Sequence, residues 1–383
     1  MKVLSLFDGM ACGMLAMQKA GIEVDRYVAY EIDKYAIQTS VHNFPMIEQK
    51  GDVFQADFTE YSGFDFLIGG SPRTYWSIAQ KSNRETEASG MGWELFSRYV
   101  RALHEAKPKF FVYENNKSMS KAIRESIDKA FGFEAICINS ALVSAQTRQR
   151  LYWVGKRNED GTYSKVPIEQ LEDLGVLLKD VLDGAKPNRI PEYGAEDKSR
   201  PVTACYAYKG CGEGSLATEA FPDNPNKQVR DYVAEPVRVG TWPNNAKNQE
   251  HDSQQYRIYS TEGKGVTLCG NGGGMGAKTG LYAIPVEFVD GIPTKAISGA
   301  DGKTYAVYEV KDGLITIKGK QYPIKLIDGF YIIRKLTVRE CMRLQTVPEW
   351  YEFPVSDSQA YKMLGNGWTV DVIAHLLKGC VAE

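Results

Sequence analysis

The sequence lacks several features that would assign it to a particular class of protein. No apolar run is long enough to cross a bilayer, and no secretory signal peptide precedes the first glycine-bearing turn. The formal net charge is only −2, which argues against a uniformly basic surface, although nucleic acid needs just one positive face. We therefore expect a cytoplasmic protein that does not bind a membrane.

Cysteine is present, but its spacing builds no recognisable site. The seven cysteines are odd in number and scattered, without the paired spacing of a zinc centre. Free thiols in a reducing compartment explain them better than a disulfide framework does. The sequence therefore predicts no bound metal, and we expect a monomer.

Residues 1–157 alternate between strand-like and helix-like segments. Apolar runs at 1–7, 64–70 and 109–116 predict strands, and an amphipathic pattern over 91–107 predicts a helix. Such alternation predicts an α/β fold with a doubly wound, mostly parallel sheet. Ligands of such sheets bind beyond the carboxyl ends of the strands, where the short polar groups of this region fall.

The composition changes near residue 185, where glycine, proline, asparagine and tyrosine dominate and helical periodicity is lost. A chain of 383 residues is long enough for two domains, so we expect a second, smaller, mostly β domain over 185–330. A capping box formed by Thr337 and Glu340 then begins a new helix. Residues 331–383 are expected to rejoin the first domain, which opens with residues 1–184.

Three short groups at predicted strand ends suit a nucleotide-like cofactor. The turn FDGMACG, residues 7–13, joins a strand to a helix. Glu31 ends the second strand and could accept hydrogen bonds from ribose hydroxyls, and Asp52 could accept one from an adenine amine. Taken singly, a plain strand–helix connection and two solvated acids explain these residues equally well.

The order of the motifs is more specific than any single motif. FDGMACG, EID, GDVF, GGSP, YENN and QTRQR follow one another, and RECMRLQ and GNGWTV come after a long variable region. Over residues 1–157 and 334–379 this order resembles the DNA cytosine-5 methyltransferase family, as found in bacterial and phage restriction–modification. The resemblance implies a Rossmann-like class I methyltransferase fold. It also implies that residues 185–330 recognise the target sequence in double-stranded DNA.

The resemblance further implies a cofactor site. Members of the family bind S-adenosylmethionine and release S-adenosylhomocysteine, with one acidic loop near the ribose and another near the adenine. The positions of this chain that match the family's cofactor contacts are Phe7, Asp8, Gly9, Gly13, Glu31, Ile32, Asp52, Val53, Pro72, Asn366 and Gly367.

A catalytic set is implied in the same way. Glu114 matches the acid that holds a flipped cytosine at N3 and N4, and Arg148 and Arg150 match the pair that supports the base and its phosphate. On the residues alone, Glu114 could be a strand-end acid and the two arginines a solvated turn.

One position departs from the family's pattern. Family members add a cysteine thiolate to C6 of the flipped cytosine, which makes C5 able to attack the sulfonium methyl group. That cysteine follows the proline of the GGSP turn, where this chain has Arg73. A guanidinium is always protonated and cannot add to C6. We therefore expect a chain that binds cofactor and DNA but does not complete methylation.

Two other functions stay open. The chain could be a DNA-binding protein that occupies or flips its target without modifying it, or, less favoured, an RNA methyltransferase. The long variable region favours duplex DNA, because a separate recognition domain serves to read it. Phosphate contacts are expected from basic residues of that region: Arg200, Lys209, Arg257, Lys264 and Lys278.

Overall fold

The computed structural model describes residues 1–77, 84–183, 234–243, 254–269, 280–288, 294–299 and 301–382. Within these ranges the chain forms sixteen strands and seven α-helices, and the strands make two sheets. The predicted contacts Arg200, Lys209 and Lys278 lie outside the described residues.

The first sheet is α/β in character and mostly parallel. Its strands are β1 Lys2–Leu6, β2 Arg26–Tyr30, β3 Glu48–Gln49, β4 Phe66–Gly69, β5 Phe110–Asn116, β6 Ile136–Asn139, β7 Gln149–Arg157 and β8 Tyr163–Lys165. They lie in the order β3-β2-β1-β4-β5-β7-β6, with β8 paired to β7. The first five strands run parallel, and β7 runs antiparallel to both β5 and β6. The predicted fold class is confirmed.

Helices cover both faces of this sheet. They are α1 Cys12–Ala20, α2 Lys34–Asn43, α3 Gly90–Ala106, α4 Lys121–Phe131, α5 Val338–Leu344, α6 Asp357–Asn366 and α7 Val370–Val381. Because side chains alternate along a strand, Phe66 and Ile68 of β4 face the core shared with α1 and α7, whereas Leu67 faces the core shared with α3 and α4. The last helix, α7, contacts α1 and so returns the chain to the first sheet.

The second sheet is mostly antiparallel, which confirms the predicted β character of this region. Its strands are β9 Arg238–Thr241, β10 Arg257–Ser260, β11 Leu281–Pro285, β12 Ala296–Ser298, β13 Thr304–Lys311, β14 Leu314–Ile317, β15 Lys320–Pro323 and β16 Gly329–Arg334. They lie in the order β15-β14-β13-β16-β11-β10-β9, with β12 beside β13. Ile258, Val310 and Ile315 belong to a core of its own. The domain boundaries stay predictions, and β16 continues the second sheet to Arg334.

The described residues contain neither a membrane-spanning helix nor a metal-binding cluster. None of their helices is both long enough and apolar enough to cross a bilayer. Their histidine, cysteine and acidic side chains do not gather in threes in a way that would hold a metal ion. The cysteines in these ranges form no disulfide.

Candidate active site

The predicted site residues meet at one edge of the first sheet. Glu31 directly follows β2, Gly70 directly follows β4, and Glu114 lies in the last half of β5. Because β7 runs antiparallel, its first residues reach the same edge, where Arg150 pairs with Asn116 of β5. This is the edge at which ligands of doubly wound sheets bind.

The turn after β1 is tightly wound. Phe7, Gly9 and Ala11 have φ angles of 59°, 62° and 60°, which lie in the left-handed region. Gly13 opens α1 where a Cβ would collide with the side chain of Ile68 and lie 2.6 Å from the hydroxyl of Tyr27. The glycine therefore allows α1 to approach β4 closely, with its amino terminus at the site edge.

Three backbone amides of the described residues hold Glu31. Gly9 N donates to its Oε2 at 2.8 Å, and Ile32 N and Asp33 N both donate to its Oε1 at 2.8 Å. These bonds fix the carboxylate while each oxygen keeps lone-pair capacity for a hydroxyl donor. Ile32, beside it, is 75% exposed, so its apolar side chain lies at the protein surface.

Asp52 and Val53 lie at the start of a short 3₁₀ turn. Asp52 caps that turn by accepting a bond of 2.9 Å from Phe54 N on Oδ1, and its second oxygen is the acceptor available to an amine. The side chain of Val53 is buried in the hydrophobic core. The side chain of Val53 is therefore not available to a ligand at this position.

Asp8 is the buried acid of the turn after β1. Its Oδ1 accepts hydrogen bonds from Ser5 Oγ at 2.6 Å and from Tyr27 OH at 2.7 Å, and its Oδ2 is buried without a partner. Burial raises the pKa of Asp8 to about 6, against the opposing effect of these two hydrogen bonds. The carboxyl therefore titrates in the neutral-to-acid range.

The turn that carries position 73 is anchored to β5. Pro72 precedes a 3₁₀ turn over Arg73–Tyr75. The hydroxyls of Ser71 and Tyr113 share a hydrogen bond of 2.7 Å, and Asn115 Nδ2 donates to Ser71 Oγ at 3.3 Å. Ser71, two residues before position 73, is therefore tied to β5, the strand that also carries Glu114.

Residues after this turn tie it to α3. The buried indole of Trp76 donates from Nε1 to Glu85 Oε2 at 3.0 Å. The same carboxylate accepts from Gly92 N at 3.1 Å, in the first turn of α3. Glu85 therefore satisfies a helix-terminal amide and fixes the segment that follows position 73.

Glu114 is almost completely buried, with 3% of its surface exposed. Arg150 Nε lies 3.1 Å from its Oε1, and Trp368 Nε1 donates to its Oε2 at 3.0 Å. A Cβ at Gly70 would lie 3.0 Å from the same Oε2, so the glycine makes room for the carboxylate. The structure thus brings together two of the predicted catalytic residues, Glu114 and Arg150.

Arg148 is not placed as predicted. It is only 1% exposed, and its guanidinium donates to the carbonyls of Leu268 at 3.2 Å, Gly365 at 3.1 Å and Gly367 at 2.7 Å. A guanidinium that is buried against three carbonyls does not reach a base or a phosphate. Instead, Arg148 holds the turn that presents Asn366, an exposed residue, and Gly367.

Lys264 is also not placed for the phosphate contact that the sequence predicted. Its side chain is fully buried, and Nζ donates to the carbonyls of Val176 at 2.6 Å, Ala141 at 2.7 Å and Ser144 at 3.1 Å. Burial lowers the pKa of Lys264, and nearby carboxylates oppose that shift. This lysine therefore joins the two regions of the chain, while Arg257, at the start of β10, is half-buried.

Sequence reasoning missed Trp368 and Gly70 as parts of the site. Both signals were present, since Trp368 lies within GNGWTV and Gly70 within GGSP. From the sequence alone, an aromatic residue in such a motif is interpreted as core packing. Only the structure shows that its indole N–H faces a carboxylate.

Comparisons with known proteins show which family this chain resembles. A family model described as C-5 cytosine-specific DNA methylase matches residues 1–382. The orphan methyltransferase M.SPRI of Bacillus phage SPR is 25% identical over 451 residues, which cover 99% of this chain and 97% of its own. The type II methyltransferase M.HhaI of Haemophilus parahaemolyticus is 24% identical over 386 residues, covering 98% of this chain and 93% of its own.

Solved structures share the fold. The S. pombe Dnmt2 methyltransferase superposes with a TM-score of 0.53 at 14% identity, covering 100% of this chain and 98% of its own. The Entamoeba histolytica methyltransferase EhMeth gives a TM-score of 0.54 at 12% identity, again covering 100% and 98%. Identities this low support the architecture alone. The family match over nearly the whole length decides the assignment: this chain belongs to the C-5 cytosine-specific DNA methylases.

Proposed function

We propose that this chain binds S-adenosylmethionine, recognises a sequence in double-stranded DNA and accepts a flipped cytosine, but does not complete methylation as it stands. The observation that carries the proposal is Arg73. It occupies the nucleophile's position, directly after Pro72, on a turn anchored beside Glu114.

The cofactor part of the proposal is supported by three acceptors at one sheet edge. Glu31 is fixed by three amides, Asp52 keeps one carboxylate oxygen for an amine, and Asp8 has a buried oxygen without a partner. Two hydroxyls, an exocyclic amine and an ammonium group are the donors that S-adenosylmethionine offers to such acceptors. When bound, this cofactor supplies an electrophilic methyl group.

The base-binding part is supported by Glu114 and Arg150. A carboxyl group can donate to N3 of cytosine when protonated and accept from the N4 amine. Arg150, within 3.1 Å of Glu114, orients that carboxyl and supplies a positive charge. A cytosine held there would present its C6 toward the turn at position 73, where a thiolate would be needed and a guanidinium cannot serve.

The loss of catalysis is expected to be severe, with binding retained. Removing a single nucleophile typically lowers the rate by several orders of magnitude. Phosphate contacts and the cofactor loops do not depend on that residue. The same observation favours a second candidate, a DNA-binding protein that occupies its target without modifying it.

Covalent trapping on 5-fluorocytosine DNA tests the proposal. After methyl transfer to such a base, fluorine replaces the C5 proton that a base would remove, so the thiolate cannot leave. With DNA in which every cytosine carries fluorine, the unmodified chain should form no denaturation-resistant complex, and the Arg73→Cys variant should form one.

The Arg73→Ala variant is the matched control, because it removes the guanidinium without adding a thiol. It should bind the fluorinated DNA and form no covalent complex. A covalent complex with the unmodified chain would contradict the proposal and make Cys12 the first residue to replace. Failure of the Arg73→Cys variant to form one would favour the non-catalytic candidate.

A further inference from the structure

Trp368 connects the turn after α6 with the carboxyl group of Glu114. The indole is half-buried, and its Nε1 donates to Glu114 Oε2 at 3.0 Å. The turn that carries it is itself fixed, because Arg148 binds the carbonyls of Gly365 and Gly367 just before it. The hydrogen bonds of Arg148 therefore hold the backbone that carries the Trp368 indole in place.

Each oxygen of Glu114 has a nitrogen donor close to it. Arg150 Nε lies 3.1 Å from Oε1, whereas Trp368 donates to Oε2. An indole N–H and a guanidinium are donors only, so neither can accept a proton from the acid. A proton carried by Glu114 must therefore occupy a lone-pair site that neither group faces.

The third side of the carboxyl is closed by backbone. A Cβ at Gly70 would lie 2.8 Å from the carbonyl oxygen of Glu114 and 3.0 Å from its Oε2. Gly70 therefore leaves space for the carboxyl, whose two oxygens lie near the donors of Trp368 and Arg150.

We infer that Trp368 is a positioning residue for Glu114, an inference that rests on the proposed function. Together with Arg150, it orients the carboxyl so that its proton and its remaining lone pairs face N3 and N4 of the flipped cytosine. Trp368 acts through Glu114 and does not touch the reacting atoms. Because it follows Asn366 and Gly367, one turn serves both the cofactor and the base.

Indole spectroscopy of the unmodified chain tests the contact itself. The chain has six tryptophans, so its ¹⁵N-labelled indole spectrum is simple. Glu114→Gln should shift the Trp368 indole resonance, which is assigned by its loss in Trp368→Phe. Trp242, which packs edge-to-face against Tyr308 of the second sheet with 5.5 Å between ring centroids, should not shift. An unmoved Trp368 resonance would overturn the inference.

Kinetics in the Arg73→Cys background test the positioning role. Adding Trp368→Phe removes the donor and keeps an aromatic ring, so kcat should fall about tenfold or more, as for loss of a hydrogen bond to a charged group. KM for DNA and the affinity for S-adenosylhomocysteine should change by less than about twofold, since the lost contact serves the chemical step.

Trp153→Phe is the matched control. Trp153 also donates its indole N–H to a carboxylate, Asp128 Oδ1 at 2.7 Å, but between β7 and α4. If Trp368→Phe lowers kcat no more than Trp153→Phe does, the inference falls and the proposed function stands. If Arg73→Cys does not methylate DNA at all, the proposed function falls and the inference falls with it.

Discussion

Arg148 Nη2 lies 2.7 Å from the carbonyl oxygen of Gly367 and 3.1 Å from that of Gly365. Its Nη1 donates to the carbonyl of Leu268 at 3.2 Å. One arginine of the QTRQR motif therefore joins the first sheet to the turn before α7 and to a segment of the second region. Its role here is to hold the site together.

Replacing Arg148 should destabilise the protein. Arg148→Met keeps the apolar stem but leaves three buried carbonyls without donors, so the free energy of unfolding should fall by about 3 kcal/mol. Urea denaturation measures the change. Arg157→Met, at the exposed far end of β7, is the control and should stay within about 0.5 kcal/mol of the unmodified chain. Equal losses in the two variants would contradict the assigned role.

Asp8 should make stability depend on pH. Its pKa is raised from an ordinary 3.8 to about 6, so the folded state holds the proton more tightly than the unfolded chain. The stabilisation is complete below the unfolded value and is lost as pH rises through the folded one. At about 1.4 kcal/mol per pH unit, the loss is about 3 kcal/mol.

Asp8→Asn should remove this dependence, because the amide cannot ionise. Relative to the unmodified chain, the variant should gain about 3 kcal/mol between about pH 4 and pH 7, measured by urea denaturation at each pH. The exposed Asp328→Asn is the control and should show no such gain. A constant difference between Asp8→Asn and the unmodified chain would refute the prediction.

Replacing Asp52 and Asp57 separately distinguishes a loss of cofactor binding from a loss of turn stability. Asp52 Oδ1 accepts from Phe54 N at 2.9 Å, and Asp57 Oδ1 accepts from Thr59 N at 3.0 Å, each capping a short 3₁₀ turn. Asp52→Ala and Glu31→Ala should weaken binding of S-adenosylhomocysteine about tenfold or more by calorimetry. Asp57→Ala should not. Equal effects of Asp52→Ala and Asp57→Ala would remove Asp52 from the cofactor site.

Two of the predicted phosphate contacts, Arg257 and Lys264, lie among the described residues and should behave differently toward DNA. Arg257→Ala should weaken binding and lower the slope of log affinity against log salt by about 1, as for one lost phosphate contact. Lys264→Met should leave that slope unchanged, since its ammonium is buried against three carbonyls. A reduced slope in Lys264→Met would show that the lysine reaches DNA.

The sequence predicted the first sheet well because its strands are buried on both faces and read as continuous apolar runs. It gave no sign of β3, whose two residues, Glu48 and Gln49, are both polar. The polar helix α2 was also missed, although Asp33 caps it by accepting from Tyr35 N. Short or polar elements of this kind are fixed by tertiary context.

At the site, the motifs predicted which residues gather but not which way each side chain points. Arg148 lies one residue before β7 and Arg150 is the second residue of that strand, so a spacing of two predicts that both side chains share one face. In the structure, however, the guanidinium of Arg148 binds carbonyls of the α6–α7 turn, whereas that of Arg150 lies beside Glu114. Lys264 looked like a surface cation because the carbonyls that surround it are distant in sequence. No local pattern carries that information.

The most direct measurement is methyl transfer from labelled S-adenosylmethionine to genomic DNA that lacks cytosine methylation, which needs no knowledge of the target sequence. The unmodified chain should transfer no label above background, and the Arg73→Cys variant should transfer label to the C5 position of cytosine. The Arg73→Ala variant should match the unmodified chain. Label transferred by the unmodified chain at the rate of Arg73→Cys would contradict the claim that Arg73 occupies the place of the nucleophile.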